Sequence, residues 1–560
     1  MQVGRTPWSA ADAPVGLALA KPARGPAADQ GVRPTGEAPF MITRRKMLAA
    51  LPAAALLRAQ ENSSAPGVTR VRIDAGEVTA RVNPMIFGQF IEHVGRCIYG
   101  GIYEEGSPLS DERGFRKDVL AAVKRLNPPV LRWPGGNFVS SYHWEDGVGP
   151  KDQRPRRFDT AWFAVEPNRF GTNECIEYCR AIGAEPYFCI NLGTGTIEEA
   201  ANWVEYCNGT SDTHYANLRR KHGYREPHNV KYWGLGNEIY GTWQAGHKSA
   251  EDYAKVALEA AKMMKWIDPS IRLVACGAGD PQWDLTVLES LGAIVDYISV
   301  HFYTGSDDYY ETLASVKRAE HQLQLADSAI EIAMSRIRGH EPRSVDFPLH
   351  EKRVELAFDE WNIWYRRRDG RNRAVKDKLE EPYNLRDALW TASMLHLFQR
   401  WGDKVTMANL AQMVNVIAPI HTNSQGMYLE PNFFPLELYR AHSGDRVVHA
   451  WADGPGYDSP SSGRTQYLDI CATLASGRLA IGVVNRHKDR ALGAQFEISG
   501  LKPARAGKVF TINGPSPDAA NSFEQPNLVA TATRDSSDFG AQFTCEFPAH
   551  SVTMLEIGIV

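Results

Sequence analysis

Two glutamates, Glu238 and Glu360, each close a short apolar run and sit among residues suited to holding a polar ligand: Gly234-Leu235-Gly236-Asn237-Glu238 and Asp359-Glu360-Trp361-Asn362. Two facing carboxyl groups can cleave a glycosidic bond. One gives a proton to the departing oxygen while the other meets the oxocarbenium-like carbon. That division of labour needs surroundings that hold one carboxyl protonated and the other ionised. If Glu360 attacks the sugar directly, the carboxyls should stand ~5–5.5 Å apart, the retaining arrangement. A bland reading of Glu238 is a helix-capping or salt-bridged carboxylate, and its place behind Tyr232-Trp233-Gly234-Leu235-Gly236 argues against it. Glu360 competes with Glu355 and Asp359. Strand alternation turns Asp359 away from the side Glu360 faces, so only one of those two points at the centre of a barrel, and Trp361 is positioned to supply an apolar wall.

The elements that must position these residues are legible from about Ile86 to Asn415. Apolar runs at Ile86–Val94, Pro129–Pro134, Pro186–Leu192, Val230–Ile239, Arg272–Gly277, Tyr297–Tyr303, Glu355–Asn362 and Val405–Asn415 alternate with helical stretches such as Phe115–Leu126, Thr196–Tyr206, Ala250–Ile267 and Ser315–Ile337. Eight β/α repeats favour a closed (β/α)8 TIM barrel over an open doubly wound sheet, and no glycine-rich dinucleotide fingerprint follows the first run. The runs end in polar residues: Glu92-His93, Arg132-Trp133-Pro134-Gly135-Gly136-Asn137, Asn237-Glu238, His301-Phe302-Tyr303, Asp359-Glu360 and Gln412-Met413-Val414-Asn415. One polar strand end is commonplace as a helix cap. Many together need a shared cause, and active sites form at the C-terminal mouth of such barrels.

The rest of the chain is read from composition and texture. Beyond about Val447, short β-branched and aromatic segments between Gly, Pro, Ser and Asn turns predict an all-β sandwich, jelly-roll-like, over residues 446–560. The barrel takes residues 83–445. Residues 61–82 form a linker and a strand, Thr69–Ile73, that pairs into the sandwich. Residues 1–60 read as a disordered Pro/Ala/Gly-rich leader whose segment 41–60, with Arg44-Arg45-Lys46 ahead of an apolar run, resembles a twin-arginine export signal. That run is too short to span a bilayer, so no membrane insertion follows signal removal. A net charge of −4 across 560 residues gives no basic field for nucleic acid. The eight cysteines match no zinc spacing; most read as buried thiols, with one disulfide left open.

Gly-Asn-Glu at 236–238, Asp-Glu-Trp-Asn at 359–362, Arg-Trp-Pro-Gly-Gly-Asn at 132–137 and Phe-Gly-Gln-Phe-Ile-Glu-His at 87–93 together resemble the α-L-arabinofuranosidases of glycoside hydrolase family 51. The similarity runs from about Val82 past Gln412. It implies Glu238 as acid/base after the fourth strand and Glu360 as nucleophile after the seventh. It places Glu92, Asn137, Asn237, Tyr303 and Gln412 on the arabinofuranosyl ring, Trp162 on the leaving-group side and Arg132 beneath the site. Physically, Asn237 can donate to the sugar 2-hydroxyl, and Tyr303 can pack on the ring and fix the nucleophile's rotamer. Arg132 reads equally as a buried ion pair between strands. His93 and His301 read first as satisfied core histidines, with His301 kept as a support for the site. Phe302 stands where relatives often carry Tyr, on the side turned away from the centre. No metal or cofactor is implied; an arabinofuranosyl oligo- or polysaccharide is the partner, and relatives suggest a homo-oligomer. The competing readings are an endo-acting β-glycanase of the same clan, which would show an open aromatic groove, and a non-catalytic carbohydrate-binding barrel, which the two glutamates disfavour.

Overall fold

The chain enters through β1 (Thr69–Arg81) and then builds eight parallel strands, each bonded to its sequence neighbour: β2 (Gly88–Phe90), β3 (Val130–Trp133), β4 (Glu185–Cys189), β5 (Tyr232–Leu235), β6 (Arg272–Ala275), β7 (Tyr297–Thr304), β8 (Glu355–Ile363) and β9 (Val405–Ala411). Pairing of β9 with β2 closes the barrel. This computed structural model describes residues 68–338, 353–365 and 379–560. The expected leader and export signal, and the charged stretch 366–378, lie outside the described residues. Among those described, no helix is long and apolar enough to cross a membrane.

Alternation along the strands sorts side chains into two shells. Val130, Tyr187, Tyr232, Val274, Tyr297, Ala357 and Met407 form an apolar plug inside the barrel. Their neighbours Leu131, Trp133, Phe188, Trp233 and Phe358 point outward under the helices, and Phe302 joins the same outer core. There Trp203, on the helix Ile197–Asn208, stacks on Phe188 at 5.1 Å and meets Trp233 edge-on at 5.4 Å. Above the plug the inward positions become polar, beginning with Arg132 and Asp359.

Strand β8 breaks the alternation where it matters. Against β7, Ala357 pairs with Ser299 and Glu360 with His301; against β9, Phe358 pairs with Ala408 and Trp361 with Leu410. Three residues of β8 thus span the interval of two on each neighbour, which is a β-bulge. In consequence Asp359 and Glu360 both face the barrel centre, where Asp359 accepts from Tyr187 Oη at 2.7 Å and Glu360 from Arg132 Nη1 at 2.7 Å. The expectation that alternation separates them is overturned. Trp361, expected as a wall of the site, points outward onto Trp390 and Phe398.

The C-terminal region is a nine-stranded sheet ordered Ala530–Ser536, Pro503–Asn513, Ser551–Ile559, Arg478–Asn485, Leu468–Ala475, Arg446–Asp453, β1, Leu492–Ser499 and Gln542–Phe547. Residues from both arms of this order, such as Ile73, Leu479, Phe496, Val509, Phe547 and Leu555, share one core. The sheet is therefore curled over itself. Its pairing is antiparallel except that β1 runs parallel to Leu492–Ser499. Ala530–Ser536 lacks an apolar face and is mostly exposed, so nothing in its sequence signals a strand. The helix Leu385–Arg400 is buried along nearly all its length, and it contacts four strands of this sheet. Because β1 is interior to the sheet, deleting residues through Arg81 would leave two open edges. Such a protein is expected to aggregate in size-exclusion chromatography, whereas one starting at Gly67, where the compact unit begins, stays soluble.

Candidate active site

Glu238 follows β5 with φ of +42°, a left-handed conformation that non-glycine residues adopt rarely and that turns the chain at the barrel mouth. Its Oε2 accepts from Trp243 Nε1 at 3.1 Å, and its Oε1 lies 3.0 Å from His301 Nδ1. Glu360 accepts from Arg132 Nη1 on Oε1 and from Tyr303 Oη on Oε2 at 3.0 Å. Arg132 is almost wholly buried, and its Nη2 also donates to Asn237 Oδ1 at 2.6 Å. With that oxygen committed, Asn237 Nδ2 is a buried donor that no described protein group accepts. Arg132 thus acts as an ion-pair partner beneath the carboxylates.

Glu92 forms the opposite wall. Its Oε1 accepts from Phe138 N at 3.0 Å and Trp162 Nε1 at 2.9 Å, and its Oε2 from Gln412 Nε2 at 3.0 Å. Cys97 Sγ, 3.7 Å from Gln412 Oε1, has its thiol pushed up to about 12 by burial and serves as a neutral donor that orients that amide. Gly136 lines the space between the walls: a Cβ there would lie 3.2 Å from Glu92 Oε2, 3.3 Å from Glu360 Oε1 and 3.6 Å from Asn237 Nδ2. Any side chain at 136 would occupy the pocket. Asn137 is half-buried beside it and accepts from Gln244 Nε2 at 2.6 Å, while Ser140 Oγ donates to Gln244 Oε1 at 2.7 Å.

The pocket therefore gathers Glu92, Arg132, Asn237, Glu238, His301, Tyr303, Glu360, Gln412 and Trp162, with Asn137 on its rim. Trp243, Tyr187 and Gln244 are supporting residues that sequence reasoning missed. Trp243 was accessible as an aromatic in the loop following Glu238; Tyr187 was hidden inside an apolar run. His93 is a buried, satisfied histidine, between Glu166 Oε2 at 2.8 Å and Trp133 Nε1 at 3.0 Å.

Charge balance in this largely buried space rests on His301. Although burial opposes a charged imidazole, Glu360, Asp359 and Glu238 push it up to about 10. As an imidazolium it lies 3.2 Å from Asp359 Oδ1 and 3.5 Å from Glu360 Oε2 in addition to Glu238. Burial raises Glu238, but the hydrogen bond and charge of His301, with Trp243, bring it below the usual carboxylate value. Burial lifts Glu360 above that value against His301 and Arg132, and the charges of Glu238 and Asp359 add to the rise. The field therefore makes Glu360 the harder of the two to ionise in the ligand-free pocket. One ligand-type atom from each of Glu238, His301 and Glu360 lies within 4.8 Å of the others. An imidazolium has no lone pair for a cation, so this grouping suits proton transfer better than metal binding.

Burial pushes Glu92 up to about 7, with Phe138 and Trp162 opposing and the charges of Glu360 and Asp159 reinforcing. Between the ordinary value of 4.5 and about 7, the unfolded chain is ionised at this position and the folded chain is not. Stability present below pH 4.5 is then lost as pH rises through 7, by about 3 kcal/mol. Glu92→Gln should remove that loss, so its unfolding free energy relative to wild type rises between pH 5 and pH 8 in denaturant titrations.

Comparison with known proteins agrees with this geometry. Residues 122–321 match the α-L-arabinofuranosidase 1 domain family, and residues 359–551 match the α-L-arabinofuranosidase C-terminal domain family. The chain is 41% identical over 506 residues to a probable α-L-arabinofuranosidase C of Aspergillus clavatus, covering 87% of this chain and 96% of that protein. It is 39% identical over 442 residues, 76% of this chain and 86% of the relative, to an intracellular exo-α-(1→5)-L-arabinofuranosidase of Halalkalibacterium halodurans. Among solved structures it resembles the thermostable family 51 α-L-arabinofuranosidase of Thermotoga petrophila, with a TM-score of 0.80 at 46% identity over 87% of this chain and 99% of that one. With its barrel, its curled C-terminal sheet and its paired glutamates, the chain belongs to the α-L-arabinofuranosidases of glycoside hydrolase family 51.

Proposed function

We propose that this enzyme is an exo-acting, retaining α-L-arabinofuranosidase that releases terminal arabinofuranosyl residues from arabinan, arabinoxylan or their oligosaccharides. The observation that supports the retaining reading is the approach of Glu238 and Glu360 in one pocket, where one oxygen of each carboxyl lies within 4.8 Å of the other, an upper bound on their nearest approach and not the separation of the carboxyls as a whole. An inverting enzyme needs carboxyls ~6.5–9.5 Å apart to admit a water between them. The enclosed wall of Glu92, Gly136 and Gln412 supports a pocket for one sugar ring over an open groove, and the exo-acting name of the H. halodurans relative points the same way.

The chemistry follows from the contacts. Asn237 Nδ2 donates to the sugar 2-hydroxyl, a bond that strengthens in the transition state. Positive charge developing at the anomeric carbon stabilises ionised Glu360, and Glu238, protonated in the substrate complex, stands beside the departing oxygen. Glu360 Oε then bonds to that carbon as the leaving group takes the proton. Esterification removes the charge of Glu360. Glu238, now ionised, takes a proton from water as the water oxygen displaces Glu360 and restores the starting configuration. Tyr303 and Arg132 hold Glu360 in its attacking rotamer throughout. Export is proposed from residues 41–60 of this chain alone, since the H. halodurans relative is named intracellular.

The expected outcome is turnover of aryl α-L-arabinofuranosides and none of aryl β-D-glycosides; the reverse would favour an endo-acting β-glycanase. Glu360→Ala should abolish turnover and, with azide, yield the inverted β-L-arabinofuranosyl azide, identified by NMR. Glu238→Ala should lose ~10²–10⁴-fold on substrates with poor leaving groups and, with azide, yield the retained α-azide. Wild-type-like activity in either variant would sink its assigned role.

A further inference from the structure

The loop after β3 carries a hairpin, Arg157–Asp159 paired with Ala164–Glu166, whose turn presents Trp162 to Glu92. Its large apolar side chains other than Trp162 face solvent: Phe158 is 65% exposed, Phe163 60% and Val165 53%. Its buried residues are both acidic, Asp159 and Glu166. Apolar packing therefore does little to fix this hairpin, and its position depends on polar contacts.

Those contacts form a directional chain. Trp133 Nε1 can only donate, and it lies 3.0 Å from His93 Nε2, so that nitrogen is the acceptor. The ring proton is then on Nδ1, which donates to Glu166 Oε2 at 2.8 Å. Glu166 Oε1 accepts from Tyr99 Oη at 2.5 Å and from Asn168 N at 2.7 Å. The His93 ring is itself clamped by stacking on Phe138 at 4.6 Å. Every group facing Glu166 is a donor, so only an acceptor on both oxygens fits. Asp159 completes the turn by accepting from Ala161 N at 2.9 Å and Trp162 N at 3.1 Å.

We propose that His93 and Glu166 are positioning residues whose hydrogen-bond chain tethers the hairpin and thereby holds Trp162 on Glu92 at the leaving-group side of the pocket. The kinetic consequence rests on the arabinofuranosidase reading; the tether itself does not. Glu166→Gln is the discriminating change, because its amide N–H must meet either His93 Nδ1–H or the Tyr99 and Asn168 donors. His93 cannot escape by moving its proton to Nε2, which would then face the Trp133 N–H.

The test is a double-mutant cycle with Trp162→Phe on an arabinofuranosyl oligosaccharide, recording kcat and KM separately. Glu166→Gln and Trp162→Phe should each lower kcat/KM by about 10- to 100-fold, and the double variant should match the worse single within about 3-fold. Glu166→Asp, which keeps two acceptors, should lose less than Glu166→Gln and be equally non-additive; it carries the cycle if the glutamine variant does not fold. Hydrogen exchange reads the tether without activity: the hairpin amides of residues 157–166 should exchange faster in Glu166→Gln, and less so in Tyr99→Phe, which removes one donor but sets no donor against another. Losses that multiply across the cycle, or unchanged hairpin exchange, would overturn the proposal. Absent arabinofuranoside turnover in the wild type with faster hairpin exchange in the variant would instead overturn the proposed substrate and leave the tether standing.

Discussion

The buried guanidinium of Arg132 is the interaction on which the pocket depends. Glu238, Asp359 and Glu360 converge in a largely buried space, where an unpaired carboxylate is strongly disfavoured. Arg132 bonds Glu360 and the Asp359 carbonyl, lies 3.6 Å from the Asp359 carboxylate, and holds the Asn237 side-chain oxygen. Its planar fork does this from one position, over the face of Phe90 at 4.6 Å. His301 supplies the second positive charge, and Tyr187 the remaining donor to Asp359. Removing either cation would leave a buried negative charge uncompensated, so the two cations and three carboxylates form a single electrostatic unit.

That unit explains why β8 is bulged. A regular strand would turn either Asp359 or Glu360 into the apolar layer beneath the helices. The bulge lets both face Arg132 while Phe358 and Trp361 keep the outer core filled. Asp359 is committed to charge balance: Arg132, His301 and Tyr187 overcome burial and hold it below the usual carboxylate value. Glu360, with oxygens reached by Arg132 and Tyr303, remains directed at the pocket. Neighbouring acids on one strand thus have different surroundings, one tied into the charge network and one facing the pocket.

The opposite wall is organised differently. Glu92 is held by neutral donors, and burial lifts its carboxyl to about 7. Its partner Trp162 sits on a hairpin that exposes its other large apolar side chains, so this wall is assembled from hydrogen bonds. The two walls are therefore held by different forces. The Glu360 side is held by buried charge, and the side of Glu92 and Trp162 by directional polar contacts at the edge of the fold.

Periodicity made the barrel legible because its strands are two-sided: Val130-Leu131-Arg132-Trp133 shows an inner and an outer residue in turn, and the polar strand ends mark the mouth. The same local signals brought out Glu238, Glu360 and most of their neighbours. The Ala530–Ser536 strand was silent, since an exposed edge has no apolar face to advertise it. Three matters belonged to the tertiary structure alone. Alternation predicted that Asp359 would turn away from the centre; only the bulged register of β8 against β7 and β9 brings it in beside Glu360, and Trp361, expected beside the site, stays on the outer face. His301 looked like a core histidine, and its charge depends on carboxylates brought from two other strands. Which glutamate is the harder to ionise follows from that charge. The sequence by itself determined which groups are present and which face of a strand they favour. Register, distance and shared burial decided how those groups charge one another, because electrostatics in a buried pocket depends on separations that no single strand encodes.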